Sequence, residues 1–399
     1  MSAIDASQTT TSTTVVEDQK FHPADVTAIA VAHGTNDAFF AIVPAIQPIL
    51  IEKLSLSNTQ AGFFTLFLQL PSLFQPLIGH QADRRNLRWL VILAPTVSAI
   101  FITITGFAPT YGWLALLMVA AGFSTAGFHS IAPVVAAARS GRKLGRGMGL
   151  FMVGGELGYA IGPLLAVSTT AALGLAGLPW MIVFGLACSI LLTLRFRNLN
   201  TVVPQRNAMP VPVKTVLLRM RRLMFPIMGY IFLTSFLVAN LINFLPTFLT
   251  SEGYSLVVAG AAFSLVQISG TLGVLVSSWL SDQVGQKSIV IVATITMPAF
   301  ALLFLVVPPV WQLPMLAGAG LLAFSANPAF LALVQGHFHE ERSLANGVYM
   351  AAGFVIRSLV VVVVGVLFDR FGMRPVFAAS AWLAFLALPL VFLLPGKID

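Results

Sequence analysis

The chain has 399 residues, 57% of them apolar and only 9% charged, where a soluble domain carries about 25% charged residues. A chain this apolar would expose large greasy patches to water, so a soluble globular fold is excluded. The net charge of +8 does not mark a nucleic-acid partner, because Lys and Arg sit in short clusters between long apolar runs and no basic helix is interleaved with aromatic residues.

Residues 1–22 are polar, rich in Ser and Thr, and lack an apolar core of signal-peptide length. They are expected to form a flexible cytoplasmic tail. Twelve apolar segments follow, each long enough to cross the roughly 30 Å of a bilayer as a helix. They fall at 24–50, 58–80, 88–107, 112–137, 145–169, 175–196, 222–250, 256–280, 287–307, 312–336, 343–367 and 374–395. Alternating ten-residue segments of the kind a membrane barrel needs are absent from the sequence. Breaks between segments are polar or rich in Gly and Pro.

In the first segment, His33 and Asp37 are four residues apart and share a helix face, with Asn36 beside them. A His next to a carboxylate on a wet face suits a proton relay. The loop after the second segment runs Gly79-His80-Gln81-Ala82-Asp83-Arg84-Arg85-Asn86-Leu87-Arg88. It resembles the signature loop of the major facilitator superfamily. Asn86 stands where a second Gly is usual and tolerates the left-handed conformation that Gly would supply there. The carboxylate at this helix end would pair with Arg and with a neighbouring helix N-terminus, making a conformational latch.

Helix 4 contributes His129 and the interfacial anchors Tyr111 and Trp113, with Trp311 a third anchor in helix 10. Helix 5 carries Gly149, Gly154, Gly158, Gly162 and Pro163, a small-residue stripe for close helix packing. The pattern resembles the antiporter signature of drug-exporting facilitators. Pro163 would permit a bend. Glu156 lies about 160° around that helix from the stripe, so packing of the stripe on protein would turn Glu156 elsewhere, with a cavity cheaper than lipid. Cys188, in helix 6, is the only cysteine, so no intrachain disulfide is possible.

The hydrophilic stretch 198–221, with three prolines, splits the helices six and six. This gives an N-terminal bundle at 23–197, a linker at 198–221 and a C-terminal bundle at 222–399. The loop after helix 8 repeats the earlier charge pattern: Asp282 and Lys287 follow Asp83 and Arg88 at the same offset of 199 residues. In helix 11, Arg357 is the one deep cation, with an anionic substrate or a carboxylate as its expected partner. By helical rise, Asp37, Glu156 and Arg357 all lie roughly 17–20 Å beyond the helix starts on the basic side, near mid-bilayer.

Eighteen basic residues fall in the tail, the even-numbered loops and the C-terminus, and only Lys53, Arg370 and Arg374 in the opposite loops. That bias predicts both termini in the cytoplasm. His33-x-x-Asn36-Asp37, Phe128-His129, Val153-Gly154-Gly155 and Gly162-Pro163-Leu164-Leu165 together resemble the fosmidomycin-resistance family of facilitators. The resemblance implies an all-α polytopic membrane protein of twelve helices in two pseudo-symmetric bundles, and a proton-coupled exporter of a small polar, anionic or amphiphilic compound such as a drug. An importer of a small nutrient such as an organic acid is the alternative. The expected partners are the substrate, protons and lipid of an inner or plasma membrane. The chain is expected to act as a monomer, with no metal and no cofactor beyond the proton gradient. A membrane enzyme or receptor is disfavoured, since no nucleotide-binding loop, HExxH or GxSxG is present.

Overall fold

A computed structural model describes residues 20–82, 85–198, 213–338 and 342–395. Among them every expected segment has its membrane-length helix: α1 (Pro23–Leu54), α2 (Asn58–Ala82), α3 (Arg88–Phe107), α4 (Tyr111–Lys143), α5 (Arg146–Leu173), α6 (Leu175–Phe196), α7 (Leu218–Ser251), α8 (Leu256–Ser281), α9 (Gln286–Val306), α10 (Pro309–Val334), α11 (Val348–Phe371) and α12 (Met373–Phe392). The chain is a multi-pass membrane protein of two six-helix bundles.

Several boundaries differ from expectation by a few residues, two of them with a visible cause. Helix α4 runs past residue 137, because Arg139 in its last turns pairs with Asp25 of α1 at 3.4 Å. The linker expected at 198–221 is shorter, because helix begins at Val213 and continues into α7. The sequence after Pro212 is rich in Leu, Arg, Lys and Met, all good helix formers, and a Pro sits naturally just before a helix start.

Among the described residues, helices α1 and α5 make the most extensive contact. A Cβ built on Gly154, Gly158 or Gly162 would overlap the backbone of Ala30, Gly34 or Ala38. The four-residue step on both helices keeps the two backbones in register along the stripe. Gly149 is a correction to the expected packing motif: a Cβ there would meet nothing within 4 Å. It lies five residues before Gly154 and not four, so it falls about 140° around the helix from the stripe. Pro163 does not break α5, which is continuous from Leu144 to Leu173.

Call the end where α1 starts the basic end, and the opposite one the far end. At the far end the halves are joined. One apolar cluster mixes Phe39, Ile42 and Phe64 from the first half with Phe244, Val361 and Phe368 from the second. Gly62 and Gly365 bring α2 and α11 together backbone to backbone. Hydrogen bonds cross from Thr65 to Asn243 at 2.6 Å and from Ser358 to Gln69 at 3.0 Å. Asn243 belongs to a π-helical turn, Asn240–Phe244, inside α7, a device that re-aims side chains where helices bend. At the basic end each apolar cluster stays within one half: Ile29, Val91, Phe128 and Phe196 in the first, Ile227, Phe330, Leu333 and Val391 in the second. The described residues therefore close the molecule at the far end and leave the halves unjoined at the basic end.

The far end also carries a lock absent from the sequence reading. The Asp369 carboxylate, at the end of α11, accepts from the backbone N–H groups of Asn58 and Thr59 at 2.8 Å each, and from their side chains at 2.9 and 2.6 Å. The carboxylate thus sits on the partly positive N-terminus of α2, across the two halves. A hydrogen bond to a charged group is worth about 1.5–3 kcal/mol. Removing the lock with Asp369→Ala is expected to favour the far-end-open arrangement by roughly 10- to 100-fold. Spin labels at Pro109 and Pro308 would read this as a longer inter-half distance. An unchanged distance distribution would deny Asp369 that role.

Candidate functional site

The deep polar residues of the first half converge. His33 Nε2 lies 3.2 Å from Asp37 Oδ2, and His129 Nε2 lies 3.6 Å from Asp37 Oδ1. The two Nε2 atoms are 3.2 Å apart. Helix α1 supplies His33 and Asp37 one turn apart, and α4 supplies His129 from the facing turn. Each ring is fixed from behind: His33 Nδ1 sits 2.8 Å from the Phe151 carbonyl, and His129 Nδ1 sits 3.0 Å from the Thr125 carbonyl. His33 also stacks on Phe151, with centroids 4.1 Å apart. Gly155 makes room for that imidazole, which a Cβ at this position would overlap.

Asn36 is fully buried and ties three helices together. Its Nδ2 donates to Asp37 Oδ1 at 3.1 Å and to Thr125 Oγ1 at 3.0 Å, and its Oδ1 accepts from Ser98 Oγ at 2.9 Å. Ser98 and Thr125 were not singled out in the sequence, because a Ser or Thr in an apolar run usually bonds its own helix backbone.

Glu156 projects away from the glycine stripe, as its angular position requires. Thr271 Oγ1 of α8, in the other half, lies 3.5 Å from Glu156 Oε2 while donating its hydrogen to the Gln267 carbonyl of its own helix at 2.9 Å. Tyr159, one turn on, lies within electrostatic reach of both Asp37 and Glu156. Arg357 stands in the second half. Its Nη2 donates to Asn327 Oδ1 of α10 at 3.4 Å, and Tyr349 is its other polar neighbour. Among the described residues no carboxylate pairs with Arg357, so the guanidinium is left with neutral partners.

The latch residues are less coherent. Asp83 and Arg84 lie outside the described residues, as does the side chain of Asp282. A Cβ at Gly79 would find open space. Arg88 packs over the Trp89 ring, its Cζ 5.3 Å from the centroid. Among the described residues Lys287 Nζ donates to the Phe392 and Leu394 carbonyls, at 3.0 and 3.2 Å, and not to a carboxylate. A cation at a helix C-terminus satisfies orphan carbonyls and the helix dipole, and here it holds α9 to α12 within one half. Asn86 does not use the left-handed conformation open to it; its Oδ1 accepts from the Arg88 N–H at 3.3 Å, an Asx-type turn. Two cations read as topology determinants are also structural: Arg195 Nε and Arg139 Nε both contact Asp25, the former at 2.5 Å.

Comparison with known proteins accords with this geometry. The sequence pattern of the Major Facilitator Superfamily is matched over residues 29–361. The chain is 24% identical over 376 residues to the fosmidomycin resistance protein of Escherichia coli (strain K12), covering 92% of this chain and 91% of that one. It is 25% identical over 384 residues to YfnC, an uncharacterized MFS-type transporter of Bacillus subtilis (strain 168), covering 92% of each. In fold it is similar to a bacterial homolog of the human lysosomal transporter Spinster in an inward-facing, unoccupied conformation, with TM-score 0.74 and 14% identity over 93% of this chain and 96% of that one. It is also similar to the nucleoside transporter NupG, with TM-score 0.73 and 16% identity over 92% and 99%.

Proposed function

The chain belongs to the Major Facilitator Superfamily, whose members are transporters and not enzymes, and from that premise we propose that it exports a small polar, anionic or amphiphilic compound in exchange for protons. The positive-inside bias puts the basic end and both termini in the cytoplasm of a cell bounded by this inner or plasma membrane. The described arrangement is then the inward-open one, ready to take up cargo from the cell.

The observation that carries the coupling is the contact of Glu156 with Thr271. It is a carboxylate deep in one half, facing 3.5 Å away a hydroxyl of the other half whose own hydrogen goes to the Gln267 carbonyl. Protonation changes what such a group donates and accepts, so it changes the free energy of joining the halves there. A proton entering from outside and leaving to the cytoplasm would drive the cycle. Arg357 supports an anionic cargo. A half-buried cation with neutral partners favours an incoming negative charge, which repays part of its desolvation.

Likeness to the fosmidomycin resistance protein favours export. The test is a growth screen of an overexpressing, efflux-deficient host against a compound panel that includes fosmidomycin. Overexpression is expected to raise the inhibitory concentration of at least one anionic compound. Greater sensitivity across the panel would mean import and would overturn the direction proposed.

A further inference from the structure

Each Nδ1 of His33 and His129 faces a backbone carbonyl, at 2.8 and 3.0 Å. A carbonyl only accepts, so each Nδ1 carries its ring's hydrogen and each neutral ring turns an Nε2 lone pair forward. Those two lone pairs and the Asp37 carboxylate point at one another with separations of 3.2, 3.2 and 3.6 Å. Three acceptors so arranged repel unless a cation lies among them. A single proton closes only one of the three contacts.

A tetrahedral metal closes all three. Ligand atoms about 2.0–2.1 Å from zinc lie about 3.3–3.4 Å apart along the tetrahedral edge, and each Nε2 lies near that spacing from the other and from one Asp37 oxygen, His33 from Oδ2 and His129 from Oδ1. The surroundings also fit. Ligating histidines characteristically donate the other ring N–H to a carbonyl or carboxylate, which fixes tautomer and orientation. Asn36 holds the ligating carboxylate in the same way, through Asp37 Oδ1 at 3.1 Å.

We infer that His33, His129 and Asp37 form a binding site for a divalent transition-metal ion of the zinc class. Two imidazoles and one carboxylate suit such an ion better than magnesium or calcium, which prefer all-oxygen shells. Three protein ligands leave a fourth position for water or an anionic compound. The His129 side chain is 28% exposed, so the site opens on that side. Such an open site suits an ion held in transit rather than a structural metal, whose shell is closed.

The test uses the full chain in lipid nanodiscs, titrated with Zn2+ alone and with Co2+ alone. The expected result is one tight site per chain, with Co2+ giving the intense visible absorption of four-coordinate geometry. Asp37→Asn and His129→Ala are each expected to weaken Zn2+ binding by at least about 100-fold and to abolish that absorption. His129→Gln, which keeps bulk and polarity, guards against a folding defect, and all variants are checked for a monodisperse elution peak. Glu156→Gln is expected to leave the metal site intact, so a failure of proton exchange and a failure of metal binding are separable. Absence of a tight site, or binding unchanged in Asp37→Asn and His129→Ala, would overturn the assignment.

Discussion

Glu156→Gln is expected to reduce gradient-driven flux to the level of empty vesicles while leaving exchange of labelled for unlabelled compound intact. Gln has the shape of Glu and its amide N–H can donate to Thr271 Oγ1, so the inter-half contact survives. What it loses is the ability to take and release a proton. Exchange needs only binding and rocking of the halves, whereas uphill flux needs a site whose two protonation states favour different arrangements. Proteoliposomes with and without an imposed pH gradient measure both quantities. Loss of exchange as well as uphill flux would make Glu156 a structural or binding residue instead.

Gly158→Leu is expected to prevent assembly of a stable protein. A Cβ at Gly158 would already overlap the carbonyl and Cα of Gly34, and these are backbone atoms of a rigid helix that cannot swing away. Forcing extra atoms into a packed contact costs about 1–3 kcal/mol per insertion when the surroundings can yield. Here α1 and α5 would have to separate, taking the His33 and Gly155 contact with them. Thermal unfolding in detergent should show a much lower midpoint or no folded fraction. Gly149→Leu is the matched control. Its Cβ would meet open space, and its midpoint should stay within a degree or so of the parent. If both variants melted alike, the α1–α5 contact would not be what the glycines serve.

Much of the fold was legible because lipid imposes one rule: the backbone must satisfy itself within each spanning segment, so an apolar stretch of about 20 residues is a helix. The starts and ends of α3 and α6 fall at the residues expected. Misjudged ends, such as those of α4 and α7, lie in polar sequence. There a helix persists only if tertiary partners hold it, as Asp25 holds Arg139. The deep charges were legible for the same reason, since an ionisable group in a span demands a partner.

What they meet was not legible. The pairing of His33 with Asp37 is a property of one helix and shows as a spacing of four. That of His33 with His129 joins residues 96 apart, which no local period reports. Thr271 gave no signal, because a Thr in a span looks like any other. Asp369 lies two residues beyond the expected end of helix 11, where a carboxylate looks like any other loop charge. The polar run Ser57-Asn58-Thr59 that opens α2 was its only complement in the sequence. Lys287 misled for the opposite reason: the repeat offset was real, but a cation near a helix end serves carbonyls as readily as carboxylates.

The most direct test of proton-coupled export is made in inside-out vesicles with an established pH gradient. To these is added the compound against which overexpression gives the greatest resistance. The account predicts that the compound partly collapses the gradient in vesicles bearing the parent protein and not in those bearing Glu156→Gln. Equal collapse in both, or accumulation of the compound with no movement of protons, would contradict it.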